Sequence, residues 1–342
     1  MKKLILFVIV FMGLTQLSVA QKSICRIANR FPLEGSGRWD YITVDSETNT
    51  AYESHGNIVQ IVDLQNGKVL GTVSDLNGVH GITIAKEFNK GFITNGSTST
   101  ITVFDLTSFK TLETVKATGQ NPDAIIYDPF SKLVFAFNGR SSDATVIDAK
   151  TNEVKSTIKL SGKPEFPQTD SKGRIFVNIE DKSEIQVIDT KNLKVINQWS
   201  IAPGDEPSGL AIDTENQLLF SVCSNKMMVV SDIKTSKVVA HLPIGSGCDG
   251  VAFDPTLKMA FSSNGEGTIT VVKEVSKDKF EVVETAKSLP SARTIAVNTK
   301  THHLYLPTAE TNPAPAPTAE NPNPRATMKP NSFMILDVEV QK

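Results

Sequence analysis

The chain has 342 residues, of which 39% are hydrophobic and 21% charged, and a formal net charge of −2. That composition lies in the ordinary globular range, and the absence of any basic block speaks against a nucleic-acid footprint. Length alone would suggest two domains, a count that an uninterrupted internal repeat overrides.

Residues 1–20, MKKLILFVIVFMGLTQLSVA, carry Lys2 and Lys3, then an apolar core, then Ser18-Val19-Ala20 as a small-x-small cleavage site. This pattern predicts a secretory signal, too short and wrongly flanked to stay as a membrane span. Cleavage would leave Gln21 first. Cys25 follows Lys22, Ser23 and Ile24, not a small residue, so no lipid anchor is expected there. The chain is expected to be exported, periplasmic or secreted, with residues 21–342 as one domain.

From Ser23 to Gly35 runs SICRIANRFPLEG, which reads as a β-strand without a local partner. A four-strand unit then repeats, clearest from Glu206 to Gly245, where SGLAID, QLLFSVC, MMVVSDI and KVVAHLPIG alternate with the turn segments TEN, SN and KTS. First strands begin at Tyr41, Gly81, Ala124, Phe166, Gly209, Gly250 and Thr294, so successive copies lie 40, 43, 42, 43, 41 and 44 residues apart. Third strands recur as well, ending on Asp63, Asp105, Asp148, Asp189 and Asp232. A four-stranded period of this length is the signature of a propeller blade, and seven copies predict an all-β, seven-bladed propeller. The last copy lacks a fourth strand after Phe333–Val340; the N-terminal strand is expected to supply it and remove two open edges. Blade six should have a longer outer hairpin, through TVVKEVSKDKFEVVE. Blade seven carries a Pro-rich insertion, residues 309–330, between its second and third strands. It is expected to be a flexible flap, with partner docking or a lid as the sharper reading.

The runs FITNGSTSTITVFDL (Phe92–Leu106) and VFAFNGRSSDATVIDA (Val134–Ala149) resemble the YVTN β-propeller repeat, and the likeness runs through the mature chain, closest to exported YncE-like proteins. The resemblance implies a seven-bladed fold. It does not choose a role, since similar propellers include a DNA-binding branch, lactonases and haem-containing enzymes.

In a propeller the inner strands line a central channel. The residue just before each inner strand therefore forms a ring at one mouth: Asp40, His80, Asp123, Glu165, Ser208, Asp249 and Arg293. Converging carboxylates raise one another's pKa or recruit a cation. A divalent metal ion on Asp123, Glu165, Asp249 and His80 is one expectation, with oxygen ligands suiting calcium or magnesium and the histidine shifting preference toward zinc. The competing reading is that each acid ties its blade to the next. Second-strand exits face the same rim with His55, Asn95, Asn138, Cys223, Asn264 and Thr308, and the departures from Asn at His55 and Cys223 are the informative ones. Cys223 and Cys248 should lie close together on adjacent blades, as a disulfide, two buried thiols or soft-metal ligands. Cys25 reads as core. His302 and His303 read as a solvated turn on the opposite rim, and His241 as outer strand.

No nucleophile or phosphate-binding motif is present. The sequence thus describes a monomeric binding or scaffold propeller rather than an enzyme. Its protein or small-molecule ligand would meet Arg38, Trp39, Asp40, His80, Asp123, Glu165, Asp249 and Arg293. Trp39 is expected to offer a flat face, and Arg38 and Arg293 anion contacts. The alternative is a metal-dependent hydrolase or lyase of lactonase type using the same carboxylates. Nucleic-acid binding ranks last.

Overall fold

The computed structural model describes residues 23–341 apart from 319, 323 and 325. The expected signal segment, residues 1–20, lies outside the described residues. Seven four-stranded antiparallel sheets form the ring, as the repeat predicts. Their inner strands are Trp39–Asp45, Val79–Ala85, Pro122–Asp128, Pro164–Thr169, Pro207–Asp213, Cys248–Asp254 and Ala296–Asn298.

Burial follows from position in the blade. Second and third strands are sandwiched between neighbouring blades and are apolar on both faces, as in Leu133–Asn138 and Asp143–Asp148. The third residue of every second strand is aromatic: Tyr52, Phe92, Phe135, Phe176, Phe220, Phe261 and Tyr305, all between 0% and 5% exposed. One large ring per interface, each contributing about 1.5 to 3 kcal/mol by burial, makes the ring a repeating stack rather than one central core. Outer strands face water; in Thr111–Lys116 only Val115 is buried. Around the channel the inner strands approach closely. A Cβ on Gly209 would lie 2.9 Å from Gly250 Cα, which is why glycine recurs there.

The ring closes as expected. Cys25–Pro32 pairs antiparallel with Met334–Val340, from Cys25 opposite Val340 to Pro32 opposite Met334, and becomes the outermost strand of blade seven. Blade six has the longer outer hairpin, Thr268–Ser276 with Lys279–Lys287. The Pro-rich insertion is more ordered at its base than a free flap. Thr311 bridges Met328, the Lys329 amide donates to Glu310 O at 2.8 Å, and Ala309 is buried with Met328 packed beside it. Beyond that base its described residues are mostly exposed.

At the rim opposite the insertion, the aspartates that end third strands close turns. Asp105 Oδ1 accepts the amides of Thr107 and Ser108, Asp148 Oδ1 those of Lys150 and Thr151, and Asp189 Oδ1 those of Lys191 and Asn192. His302 and His303 on this rim do not form a solvated turn. His302 Nδ1 lies 2.7 Å from the fully buried Asp254 and His303 Nδ1 2.5 Å from the buried Asp337, because carboxylates sealed between blades need a partner. His241 lies on the outer strand Lys237–Pro243 and is exposed. Among the described residues no helix is long and apolar enough to cross a membrane.

Candidate functional site

Six of the seven inner strands begin with an irregularity. Register slips between Trp39 and Ile42, Val79 and Ile82, Pro122 and Ile125, Pro164 and Pro167, Pro207 and Leu210, and Cys248 and Gly250. Such bulges re-aim side chains, and in blades one and four two successive residues, Asp40 with Tyr41 and Glu165 with Phe166, face the channel in place of one. The result is a cavity of about 130 Å³ at the mouth, lined by Asp40, Tyr41, Asp123, Glu165, Phe166, Ser208, Asp249 and Thr294.

Neighbouring blades hold this rim through hydroxyls that donate to its backbone: Thr94 to Asp123 O at 2.5 Å, Ser263 to Arg293 O at 2.5 Å and Thr294 to Asp40 O at 2.6 Å. The carboxylates are left for other contacts. Arg293 Nε donates to Asp249 at 2.7 Å and its Nη2 to Asp40 at 3.1 Å; Asp40 also meets His80 Nδ1 at 2.6 Å, and His80 lies 3.7 Å from Asp123. One chain of charge, Asp249–Arg293–Asp40–His80–Asp123, therefore crosses five successive blades from six, through seven, one and two, to three. Glu165 has Lys163 Nζ at 2.8 Å, and Lys163 also pairs with Glu180.

Charge is not balanced evenly around the ring. Burial pushes the Asp123 carboxyl up to about 6 against the pull of His80, with Asp40 and Asp249 adding to the rise. Burial and then the Asp123 charge push Glu165 up to about 8, although Lys163 opposes them. Asp249 is raised too, by burial, with Arg293 opposing. His80 moves the other way in charge: burial would lower it, but the hydrogen bond to Asp40 and the charge of Asp123 carry it up to about 8. Beside these groups the rings of Tyr41 and Phe166 stack with centroids 5.3 Å apart, and burial, then the surrounding acids, keeps the Tyr41 phenol protonated.

Six of the expected residues, Asp40, His80, Asp123, Glu165, Asp249 and Arg293, thus meet at the mouth. Two do not. Trp39 is 6% exposed and packs on Phe333 at 5.5 Å in the seam between blades seven and one, so it offers no face to a ligand; it precedes the bulge and points away from the channel. Arg38 is exposed but does not line the cavity. The expected metal set is also redistributed. Among the described residues, Asp40, His80 and Asp123 form the group whose ligand atoms lie within 4.8 Å of one another, while Glu165 and Asp249 are engaged by Lys163 and Arg293. Tyr41, Phe166 and Lys163 were not among the expected residues; their signal was position, one residue after Asp40 and Glu165 and two before Glu165.

Cys223 and Cys248 do lie side by side but as free, buried thiols in place of the disulfide. Cys248 Sγ donates to Cys223 O at 3.1 Å, and burial pushes both up to about 12. No cysteine joins a metal-ligating group among the described residues. Cys25 is buried in the core of blades six and seven.

No family model matches the chain. It is 28% identical over 196 residues to Antigen Lp49 of Leptospira interrogans, a match that takes in 52% of this chain and 40% of that protein, so the chain spans well under half of that relative's length. Hydrazine synthase of Kuenenia stuttgartiensis superposes with a TM-score of 0.68 at 16% identity, over 80% of this chain and 94% of that one. At that identity the likeness shows the β-propeller fold alone.

Proposed function

We propose that the protein is an exported binding propeller of the YVTN type whose channel mouth receives a cationic group of a small ligand or protein partner. The observation that carries this reading is the pair Asp123 and Glu165, 20% and 14% exposed, raised to about 6 and about 8 on a cavity walled by Tyr41 and Phe166. A cation placed there lowers both pKa values and gains a ring face, the chemistry by which aromatic-walled acidic sites hold ammonium groups. The cavity admits a head group rather than a whole drug-sized molecule. The acidic mouth and the net charge of −2 both disfavour nucleic acid. Export rests on the signal pattern of residues 1–20.

Titration calorimetry with methylammonium, tetramethylammonium, calcium and magnesium at pH 6 and pH 8 tests the reading. Binding should tighten with pH and release protons, and Asp123→Asn with Glu165→Gln should abolish it. Heats that are absent for every cation, or unchanged in the double variant, overturn it. The triangle Asp40, His80 and Asp123 favours a second reading, a transition-metal centre supporting hydrolase or lyase chemistry. Stoichiometric zinc in the purified protein, lost in His80→Gln and kept in Glu165→Gln, would select that reading over the first.

A further inference from the structure

The second strand of blade one, Thr50–His55, breaks the repeat at a buried position. The fourth residue of the second strand is Ile93, Ala136, Val177, Ser221, Ser262 and Leu306 in blades two to seven; in blade one it is Glu53. Glu53 is 0% exposed, and neither carboxylate oxygen has a hydrogen-bond partner. Directly opposite on the third strand stands Gln60, 5% exposed, whose Oε1 is likewise unpartnered. Two residues along the same face is His55, 0% exposed, with its ring 3.9 Å from that of Phe333 in blade seven. Ala51, Ile42 and Val62 around Glu53 pack with Phe31, Leu33, Tyr305 and Ile335 across the seam between blades seven and one. Other titratable groups of the packed elements are Asp40, whose charge acts on Glu53, with Tyr41 and Asp45 on the inner strand, Tyr52 and His55 on its own strand, Asp63 at the end of the third, and His303, Tyr305 and Asp337 in blade seven.

An ionised carboxylate there would be buried without a partner, with a like charge at Asp40 acting on it. A protonated one supplies the layer with a donor. We propose that Glu53 is a proton-binding site in the ring-closing seam: protonated, it holds blade one against blade seven, and its deprotonation loosens that interface while the other six stay closed. Asp40 and Arg293 join across the same seam at the mouth, so the proton on Glu53 sets the geometry of that part of the rim. This does not depend on which ligand the mouth takes.

Hydrogen exchange of the full chain between pH 6 and pH 9, corrected for the intrinsic pH dependence of exchange, reads the seam directly. Protection of residues 39–63 and 303–308 should fall by about tenfold per pH unit where one proton is lost, with residues 133–148 as the control interface. In Glu53→Gln, neutral at every pH, seam protection should stay level. Glu53→Ile, which carries the residue of blade two, should do the same and serves if the first variant does not fold. Seam protection that is flat in the wild type, or that falls equally in the variants or in the control interface, overturns the proposal.

Discussion

At one rim of the propeller the aspartates close turns, and at the other they crowd a cavity; the residue is the same and its chemistry is opposite. The amide of Ser108, then its hydroxyl, holds the Asp105 carboxyl below its ordinary range, and the amide of Asn192 does so for Asp189. At the mouth, among the described residues, no turn amide donates to Asp123 or Glu165; burial comes first, and both are raised. Carboxylates with amide donors strengthen the fold in the ionised form, whereas these two weaken it in that form. Charge retained where it weakens the fold is the contrast on which the proposed binding role of the mouth rests. The mouth itself divides by partner, since Asp40 and Asp249 share Arg293 while Asp123 has His80 at 3.7 Å and Glu165 has Lys163 at 2.8 Å.

The largest effect should come from the turn rim. Asp254→Ala strips a buried carboxylate from the amides of Thr256 and Leu257 and from His302, and should lower unfolding free energy by about 3 to 5 kcal/mol in urea titration. At the mouth, Arg293→Met leaves Asp40 and Asp249 facing each other without their cation, and a loss of about 2 to 3 kcal/mol is expected. A near-zero change there would show that the five-blade chain of charge does not tie the ring. Asp123→Asn with Glu165→Gln should be close to neutral below about pH 4 and increasingly stabilising from there to pH 8. The sign follows from the raised pKa values: the contribution of such acids is full below their unfolded pKa of about 4 and is lost as pH rises toward about 6 and about 8. Asp189→Asn should act in reverse, its depressed pKa making the wild-type advantage present above the ordinary carboxylate range and lost as pH falls. If the mouth pair and Asp189 shift stability in the same direction with pH, the contrast between the rims is gone.

Much of this was legible because a repeat can be read in phase. Once Asp123 and Asp249 occupy equivalent slots, their convergence needs no coordinates, and the same phase places Cys25–Pro32 on Met334–Val340. What phase could not supply is the direction of a side chain at a bulge. Trp39 and Asp40 are adjacent, yet one enters the seam and the other the channel, and Tyr41 joins the channel only because the register slips after Trp39. Pairing was also hidden, since Lys163 competes for Glu165 from two residues away and no count of acids reveals it. Glu53 was readable in principle as the one acid at a position otherwise apolar or small, but a ring of surface acids draws attention away from a buried one.

The smallest effect concerns the one long connection, which rises from the mouth rim after Thr308, whose hydroxyl donates to Pro290 O at 2.9 Å. Its base belongs to the fold: Ala309 is buried, Met328 is half-buried against the cluster that holds Phe333 and Trp39, and Thr311 bridges Met328. Removing residues 313–326 and joining the flanks with a short turn leaves those contacts in place, so the melting temperature should move by less than about 2 °C. Removing residues 309–330 also takes the buried Ala309 and the half-buried Met328, so that deletion should melt lower than the shorter one, by a few degrees. Calorimetry on both deletions separates the base from the tip. An equal drop in the two would mean that the exposed stretch packs on the mouth, and cation titration of the shorter deletion would then show whether it covers Asp123 and Glu165.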